Sequence, residues 1–378
     1  MDISTLVVHG SEVKYDNTGA VSVPIFQSAT FAHPGVGEST GFDYSRDRNP
    51  TRSHLELTLA RLECGIDALA FSSGMAAEAA LMELFSPGDH IIASHDLYGG
   101  TRRLFDVISK KNGISTSYVN TSDLRAIESA ITEHTRMVFV ETPTNPMMHV
   151  TDIAAVAAIT KPSGILLAVD NTFLTPYYQR PLVLGADIII HSGTKFLAGH
   201  NDTLSGFLVV SSAELSERLR YIHKTTGACL SPFDSWLVIR GLKTLVVRMD
   251  RQSKSALAIA EWLAKHKRVR KVHYVGLPSH PDYELSGRQA SGFGSMISLE
   301  LDSEETSRRA LERVRLMQFA ESLGGTESLI TYPMFQTHTE VPPDAREALG
   351  VNERLLRISV GLEDEKDLIA DLAQALEG

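Results

Sequence analysis

The chain of 378 residues has little cysteine, no long apolar run and no excess of basic residues. Its two cysteines, Cys64 and Cys229, are too few for a disulfide framework and fit a reducing compartment. No apolar run approaches the ~20 residues of a membrane helix, and no basic segment followed by an apolar core marks the N-terminus. The net charge of −10 argues against a basic nucleic-acid-binding face. We therefore expect a cytoplasmic protein that binds neither nucleic acids nor membranes.

What is present indicates a globular protein with an arm and two domains. Hydrophobic residues make up 43% of the chain and charged residues 22%, which is typical of soluble proteins. Residues 1–50 are rich in Gly, Pro, Ser and Thr and predict an extended arm. Residues 51–235 alternate helix and strand patterns, which predicts a mostly parallel sheet covered on both faces. Residues 236–378 contain half-exposed alternating strands and predict a smaller α+β domain.

The helices and strands of both predicted domains can be placed from their periodicity. The segment 235–266 is apolar at helical spacing and predicts a long helix between the domains, and an amphipathic helix is predicted over 363–376. The other predicted helices span 52–63, 75–85, 102–110 and 153–160, and the predicted strands span 68–71, 90–93, 137–141, 165–170, 187–191, 295–301 and 355–360.

A lysine follows one of the apolar runs directly. The run ends in Ser192, a glycine and Thr194, and Lys195 comes next. An amine at the carboxyl end of a buried strand is costly unless it is paired or neutral, and a neutral lysine forms imines with carbonyl compounds. Asp170 ends a second run. A lysine that forms an imine and a carboxylate that pairs with a ring nitrogen are what pyridoxal phosphate requires, with a surface-loop lysine as the competing interpretation.

Two groups of small residues are candidates for binding a phosphate. Ser73, Gly74 and Met75 follow a strand and open a helix, where the backbone can approach an anion and the first amides are unpaired. Ser192 and Thr194 supply a second set of donors beside the lysine. Because many strand–helix turns contain serine and glycine, the first group alone also fits an ordinary turn. The two groups together favour a phosphate site.

Three further side chains could contact a cofactor or an amino-acid substrate. Tyr98 could stack on a flat ring and join proton transfer, or it could pack in a turn. Asn145 could hydrogen-bond a cofactor or a carboxylate, or stabilise the turn before Pro146. Arg357 lies in an alternating strand and could hold an α-carboxylate, or form an internal salt bridge. Spacing leaves both interpretations open for each residue.

One motif indicates a different class of enzyme. Residues 37–41 match the Gly-x-Ser-x-Gly pattern of serine hydrolases, with Ser39 at the centre. The pattern has catalytic meaning only between a strand and a helix, and the surrounding glycines and proline indicate a loop. The chain has no Gly-x-Gly-x-x-Gly fingerprint, and its histidines show no metal-ligand spacing. We keep the hydrolase as a remote alternative and expect no metal site.

Nine short motifs occur together and in order across the chain. They resemble those of the Cys/Met-metabolism pyridoxal phosphate enzymes, the cystathionine γ-synthase and γ-lyase family. The resemblance implies the aspartate-aminotransferase-like fold (fold type I) and a homotetramer built from two active dimers. The motifs are Tyr44-Ser-Arg46, Asn49-Pro-Thr-Arg52, Ser73-Gly-Met75, Tyr98-Gly-Gly100, Glu141-Thr-Pro-Thr-Asn-Pro146, Val169-Asp-Asn-Thr-Phe173, His191-Ser-Gly-Thr-Lys195, Ser322-Leu-Gly-Gly325 and Arg357-Ile-Ser-Val-Gly-Leu-Glu363.

The same resemblance implies a role for each site residue. Lys195 would form the imine with the cofactor and act with Tyr98 in proton transfer. Asp170 would pair with the ring nitrogen, and Thr172 would lie on the side of the ring opposite Tyr98. The residues implied to hold the phosphate are Ser73, Gly74, Met75, Ser192 and Thr194, with Tyr44 and Arg46 from the neighbouring subunit's arm. Those implied to bind substrate are Arg357, Ser322 and Asn145 for the carboxylate, and Glu321, Arg103 and Asp43 for the distal groups.

The resemblance favours γ-replacement of an O-acylhomoserine by cysteine, giving cystathionine. Gly100 stands where methionine γ-lyases carry a cysteine, and the aromatic residues of enteric-type β-lyases are absent around Ser322. The main alternative is γ-elimination of cystathionine to cysteine, ammonia and 2-oxobutyrate. O-acetylhomoserine sulfhydrylase and cystathionine β-lyase activities are further alternatives. Gly193 replaces an alanine that is common in the family, and we expect it to loosen the loop slightly.

Overall fold

A computed structural model describes residues 1–11, 13, 18–339 and 341–377. Over its described part, the predicted arm is largely irregular, and Thr30 forms an isolated antiparallel bridge with Tyr44. The arm begins with helix α1 (Ile3–His9), which the composition did not predict. Asp2 caps this helix by accepting from the Ser4 amide. The reach of the arm to a neighbouring subunit stays a prediction.

Within the described residues, seven strands form a sheet in the order β1–β7–β6–β5–β4–β2–β3. The neighbours among β2 to β6 are parallel, whereas β7 runs antiparallel to both β1 and β6. The sheet is therefore mostly parallel, as predicted. Its strands are β1 (Asp67–Phe71), β2 (His90–Ser94), β3 (Ser115–Val119), β4 (Thr135–Glu141), β5 (Leu166–Asp170), β6 (Ile188–Ser192) and β7 (Gly206–Val210).

Helices cover this sheet on both faces and bury its apolar strands in two hydrophobic clusters. Asn49 and Ser73 begin two of the helices by accepting backbone amides of the first turn. The helix predicted over 102–110 is a short α-helix that continues as a π-helix (Leu104–Ser109). The helices are α2 (Pro50–Leu62), α3 (Gly74–Met82), α4 (Gly99–Arg103), α5 (Leu124–Ala130), α6 (Ile153–Thr160), α7 (Thr175–Tyr178) and α8 (Ala213–Thr226), with a 3₁₀ turn at Lys161–Ser163.

The single long helix predicted over 235–266 is instead two helices, α9 (Pro232–Leu242) and α10 (Leu245–Leu263). The carbonyl of Gly241 accepts from the Thr244 hydroxyl at 3.0 Å and from Arg248 Nη2 at 2.9 Å. In a continuous helix, the Gly241 carbonyl would accept a backbone amide four residues later. Here it accepts from these two side chains. The apolar periodicity persists through the break, which is why the sequence pattern did not show it.

A second, smaller sheet follows in the C-terminal part of the chain. Its order within the described residues is β10–β11–β12–β9–β8, and all its pairs are antiparallel except β10 with β11. A separate apolar cluster lies beneath it. The strands are β8 (Val269–His273), β9 (Met296–Leu301), β10 (Gln318–Phe319), β11 (Leu329–Thr331) and β12 (Leu355–Ser359), and the helices are α11 (Tyr283–Gln289), α12 (Glu304–Arg313), α13 (Pro343–Leu349) and α14 (Glu365–Glu377), with a 3₁₀ turn at Pro333–Phe335.

The carboxyl ends of the parallel strands set the position of the site. Strands β4, β5 and β6 are neighbours and end at Glu141, Asp170 and Ser192. Parallel strands place these ends at one edge of the sheet, where ligands of open α/β sheets bind. None of the helices in the described ranges has the length and apolarity needed to cross a membrane.

Candidate active site

A cavity of about 340 Å³ lies at this edge, between the large sheet and the C-terminal sheet. It brings together most of the residues that the sequence singled out. Those lining it are Ser73, Gly74, Met75, Tyr98, Asn145, Asp170, Thr172, Ser192, Thr194, Lys195, Glu321, Ser322 and Arg357. The lining residues without a predicted role are Glu78, Glu141, Pro143, Phe173, Leu204, Leu323 and Thr337.

Lys195 projects into the cavity from the turn after β6. Its Nζ donates a hydrogen bond to Ser322 Oγ at 2.9 Å. Burial lowers the pKa of Lys195 to about 8, and the positive charge of Arg357 acts in the same direction, while Glu321 opposes them. The pKa of Lys195 therefore lies more than two pH units below that of an exposed lysine, and its neutral amine is available at a correspondingly lower pH. Such an amine is a nucleophile and a proton acceptor.

Asp170 lies buried at the end of β5. Its Oδ1 accepts from the Thr172 amide at 2.9 Å, and the Thr172 hydroxyl in turn accepts from the Ser192 amide at 2.9 Å. Burial raises the pKa of Asp170, and hydrogen bonds from Thr172 and the charge of His191 counter this rise. His191 is buried with Glu63, at 2.6 Å between Nε2 and Oε1. Asp170 therefore offers an anion that a cationic ring nitrogen would stabilise.

Glu141 organises the loops on the tyrosine side of the cavity. Its Oε2 accepts from the Tyr98 amide at 3.0 Å and its Oε1 from the Asn145 amide at 2.9 Å. Burial, followed by the charge of Asp170, raises the pKa of Glu141 well above its ordinary value. Burial also raises the pKa of the Tyr98 phenol. Glu141 thus positions two residues that the sequence assigned to the site.

The N-terminus of α3 faces the turn that carries Ser192. A Cβ added to Gly74 would lie 3.2 Å from Ser192 Cβ, so glycine allows the two segments to approach closely. Ser73 Oγ caps the helix by accepting from the Ala76 amide at 3.1 Å. Thr194 Oγ1 accepts from the Ser205 amide at 3.0 Å. The first amides of α3 have no intrahelical acceptors, which makes this end of the cavity suitable for an anion.

Gly193 has a tighter steric requirement than the sequence suggested. A Cβ at this position would lie 2.1 Å from Phe207 Cε2 and 2.5 Å from Ser205 Oγ. Glycine therefore makes the packing of the lysine turn against β7 possible. The expectation that Gly193 loosens the loop slightly stays a prediction, and the structure adds that Phe207 fills the space of a methyl group.

Arg357 is 2% exposed and points into the cavity from β12. Nη1 donates to Asn145 Oδ1 at 2.8 Å, and Nη2 donates to the Ser322 carbonyl at 2.9 Å and to Thr331 Oγ1 at 3.1 Å. Burial lowers the pKa of Arg357 to about 10. No salt bridge to Arg357 occurs within residues 18–339 and 341–377 of this structure. The internal salt bridge that the spacing left open is absent there, and a bound carboxylate would supply the missing anion.

Ser322 joins the lysine and the arginine through its backbone and side chain. Its hydroxyl accepts from Lys195 and its carbonyl from Arg357. Its φ of 95° is a left-handed conformation that is costly for a residue with a side chain. Glu321, directly before it, is exposed at the cavity wall. Ser322 and Glu321 thus present a hydroxyl and a carboxylate to the same cavity.

Four predicted residues do not line the cavity of the single chain: Asp43, Tyr44, Arg46 and Arg103. Arg46 donates to the Lys224 carbonyl at 2.6 Å and lies 5.5 Å from the Tyr44 ring centroid. Asp43 accepts from the Ser39 hydroxyl at 2.6 Å. The charge of Arg103 lowers the pKa of Tyr98, so Arg103 acts on the site electrostatically. The assigned roles of these residues stay predictions.

The loop around Ser39 lacks the geometry of a hydrolase nucleophile. Ser39 is exposed and belongs to an irregular segment between Thr30 and Tyr44 rather than to a strand–helix elbow. Its hydroxyl donates directly to Asp43, so no histidine takes the position of the base. In the described ranges, no group of three or more His, Cys, Asp or Glu side chains is arranged to hold a metal ion.

Glu78 and Glu141 are the acidic lining residues to which the sequence assigned no role in the site. Glu78 lies one helical turn after Gly74 and Met75, and this spacing puts it on the same face of α3. That signal was available in the sequence once the helix start was assigned. Glu141 was part of a recognised motif, but its contacts with the Tyr98 and Asn145 amides depend on loops distant along the chain.

The residues of this cavity fit pyridoxal phosphate. The helix N-terminus at Gly74 suits a phosphate, Asp170 suits a ring nitrogen, and Lys195 has the lowered pKa that imine formation requires. The model of the Cys/Met metabolism PLP-dependent enzyme family matches residues 4–377. The chain belongs to this family and is therefore a pyridoxal phosphate-dependent enzyme of Cys/Met metabolism with the fold that the motifs implied.

Similarity to individual members extends over the whole chain. Cystathionine γ-lyase of Bacillus subtilis (strain 168) is 47% identical over 377 residues, covering 100% of both chains. Cystathionine γ-synthase of Haemophilus influenzae is 50% identical over 374 residues, covering 99% of this chain and 97% of the relative. The crystal structure of cystathionine γ-synthase from Xanthomonas oryzae pv. oryzae in complex with cystathionine has a TM-score of 0.97 and 39% identity, and covers 100% of this chain and 98% of that one.

Proposed function

We propose that this chain catalyses γ-replacement of an O-acylhomoserine by cysteine, forming cystathionine and releasing the carboxylic acid. The observation that carries the choice of cysteine rather than sulfide as the thiol is the pair of opposite charges that act on Lys195, Arg357 lowering its pKa and Glu321 raising it. The cation of Arg357 suits the α-carboxylate of a bound amino acid. The anion of Glu321, in the same cavity, suits a second ammonium group. Cysteine and cystathionine carry that second ammonium, whereas sulfide does not.

Bound pyridoxal phosphate supplies a ring that accepts electrons from the substrate carbon. Lys195 Nζ would take a proton from the α-carbon and return one, and its lowered pKa suits both tasks. Tyr98 would hold a second proton at its phenol oxygen. Asp170 would keep its negative charge at the ring nitrogen, and the first amides of α3 with Ser192 and Thr194 would hold the phosphate. Arg357 with Asn145 would orient the substrate by its carboxylate.

The second candidate is γ-elimination of cystathionine with water, giving cysteine, ammonia and 2-oxobutyrate. The whole-length similarity to a γ-lyase at 47% identity supports it. The charges at Arg357 and Glu321 suit cystathionine as substrate equally well. The two reactions differ in the fate of the bound four-carbon unit, which a thiol captures in the synthase and water finally releases in the lyase.

The test is mass-spectrometric analysis of the products formed by purified enzyme with pyridoxal phosphate, O-acetylhomoserine and cysteine. Cystathionine as the main product is the expected result. 2-Oxobutyrate without cystathionine would reject the synthase and support the lyase. Incubation of the same enzyme with cystathionine alone gives the elimination rate. The rates of replacement and elimination can then be compared directly.

Glu321→Ala is expected to lower kcat/KM for cysteine by about fivefold while leaving kcat/KM for sulfide within about twofold, because an exposed ion pair contributes up to ~1 kcal/mol. The measurement is the initial rate of thiol consumption at varied thiol concentration. Glu312→Ala, an exposed glutamate of α12, is the matched control. Equal losses for cysteine and sulfide would remove Glu321 from the recognition of the ammonium group.

The rate at which apoprotein captures pyridoxal phosphate is expected to depend on pH through Lys195. Its folded pKa of about 8 lies below the ordinary value, so the neutral amine predominates above pH 8 and falls about tenfold per unit below it. The rate should therefore rise to about pH 8 and then level off, as measured by stopped-flow absorbance. Since Glu321 raises the pKa of Lys195, the midpoint should move to lower pH in Glu321→Gln. A rate still rising at pH 10 would contradict this assignment.

A further inference from the structure

One carboxyl group of the cavity has no place in the mechanism given above. Glu78 projects from α3, is 4% exposed and lines the same cavity as Lys195 and Asp170. Its neighbours at the site include Asp170 at the end of β5, Glu141 at the end of β4 and Tyr98 before α4, all of which act on it or are acted on by its charge. A buried carboxyl among other acids needs either a cation or a proton.

The two oxygens of Glu78 have different surroundings. Oε1 accepts from the Thr101 hydroxyl at 3.1 Å. Oε2 is buried and has no hydrogen-bond partner among the residues that the structure describes. Both oxygens of Glu141, by contrast, accept backbone amides. Glu78 lines the cofactor cavity and therefore brings to it a side chain with one buried oxygen that lacks a described partner, and such atoms in native proteins need an explanation.

We propose that Glu78 is a further cofactor-binding residue, which carries its proton on Oε2 and donates it as a hydrogen bond to bound pyridoxal phosphate. Oε1 already accepts from Thr101, so the proton belongs on Oε2. A neutral Glu78 also avoids a second negative charge beside that of Asp170, which the ring nitrogen requires. The inference rests on the proposed roles of Lys195 and Asp170 in cofactor binding and adds a neutral donor to them.

The electrostatics of the site agree with a protonated Glu78 near neutral pH. Burial, and after it the negative charge of Asp170, raise the pKa of Glu78 to about 8 against the hydrogen bond from Thr101, which lowers it. Below this pH, Glu78 is neutral and can donate a hydrogen bond. Above it, Glu78 is an anion without a proton to donate. The contribution to cofactor affinity should therefore be present at pH 7 and lost by pH 9.5.

The test measures the dissociation constant of pyridoxal 5′-phosphate from the apoprotein between pH 6.5 and 9.5, for wild type, Glu78→Gln and Glu78→Leu. Glutamine keeps an acceptor for Thr101 and a donor toward the cavity, and it does not titrate. We expect its affinity to lie within about twofold of wild type at pH 7. At pH 9.5, wild type should bind about tenfold more weakly than Glu78→Gln. The ionised Glu78 of wild type has lost the hydrogen bond that it donated, whereas the glutamine keeps its own. Comparing the two proteins at each pH cancels the titration of Lys195.

Glu78→Leu removes the donor and should weaken binding about tenfold at pH 7. Glu300→Gln, a carboxyl-to-amide change in β9 beside His273, is the control and should leave the dissociation constant unchanged at every pH. A constant affinity ratio between wild type and Glu78→Gln from pH 6.5 to 9.5 would overturn the proposal. Failure of wild type itself to bind the cofactor would instead overturn the proposed function. The comparison of wild type with Glu78→Gln tests the proposal even if Glu78→Leu does not fold.

Discussion

Lys195→Ala is expected to remain folded and to lose more than about 10³-fold of the rate of replacement or elimination, because the nucleophile and the proton acceptor are removed together. The structure gives the reason for both parts. Among the described residues, Lys195 Nζ has a single hydrogen bond, to the Ser322 hydroxyl, and burial disfavours its charged form. Deleting the side chain therefore removes little that stabilises the fold. The measurements are product formation by mass spectrometry and the thermal unfolding midpoint.

The control for this variant is Lys254→Ala, which removes an exposed lysine of α10 and should change neither quantity. Added primary amines should restore part of the lost rate by entering the space of the deleted side chain. Substantial turnover of Lys195→Ala without added amines would refute the assignment of Lys195. A fall in both rate and unfolding midpoint would indicate a structural role instead.

Arg357→Lys is expected to raise KM for the amino-acid substrate about 30-fold, since one charge-assisted hydrogen bond of a planar fork is lost while the positive charge stays. Two of the arginine nitrogens are engaged by Asn145, Ser322 and Thr331, but Nε has no hydrogen-bond partner within the described residues. A lysine ammonium cannot keep these contacts and grip a carboxylate in a plane. The measurement is steady-state kinetics with O-acetylhomoserine at saturating cysteine.

A second buried arginine provides a matched comparison. Arg248 is 2% exposed, and its guanidinium donates to the carbonyls of Phe196 and Gly241 at 2.7 and 2.9 Å and to the Thr244 hydroxyl. Gly199, with φ of 71°, leaves room for it, since a Cβ there would lie 2.1 Å from Nη1. Arg248→Lys should lower the unfolding midpoint, because buried carbonyls lose their donors, and should change KM much less. A KM increase equal to that of Arg357→Lys would show that the effect is not specific to the substrate.

The geometry of Ser322 explains why the two arginines are expected to behave differently. Its left-handed backbone directs the carbonyl to Arg357 and the hydroxyl to Lys195 at the same time. A substitution of Arg357 can therefore affect the amine of Lys195 through one residue, Ser322. Arg248 instead fixes the main chain just beyond the lysine turn, at Phe196 and Leu197.

Periodicity and motifs in the sequence determined most of the large sheet and the centre of the site. The runs that end at Asp170 and Ser192 are apolar on both faces, and only a buried parallel sheet accommodates them. Because such strands end at one edge, Lys195 and Asp170 were expected near each other, and the cavity contains both. The helix starts predicted at 52 and 75 lie within two residues of those observed at Pro50 and Gly74, which Asn49 and Ser73 cap.

Only the tertiary structure decided the features that depend on contacts between distant segments. At the break between α9 and α10, Arg248 donates to the Gly241 carbonyl, and the steric need for Gly193 arises from Phe207 on β7. The lowered pKa of Lys195 and the protonated state proposed for Glu78 are properties of burial and of neighbouring charges. Sequence spacing specifies which groups are present, whereas desolvation and hydrogen-bond partners are set by how the chain packs.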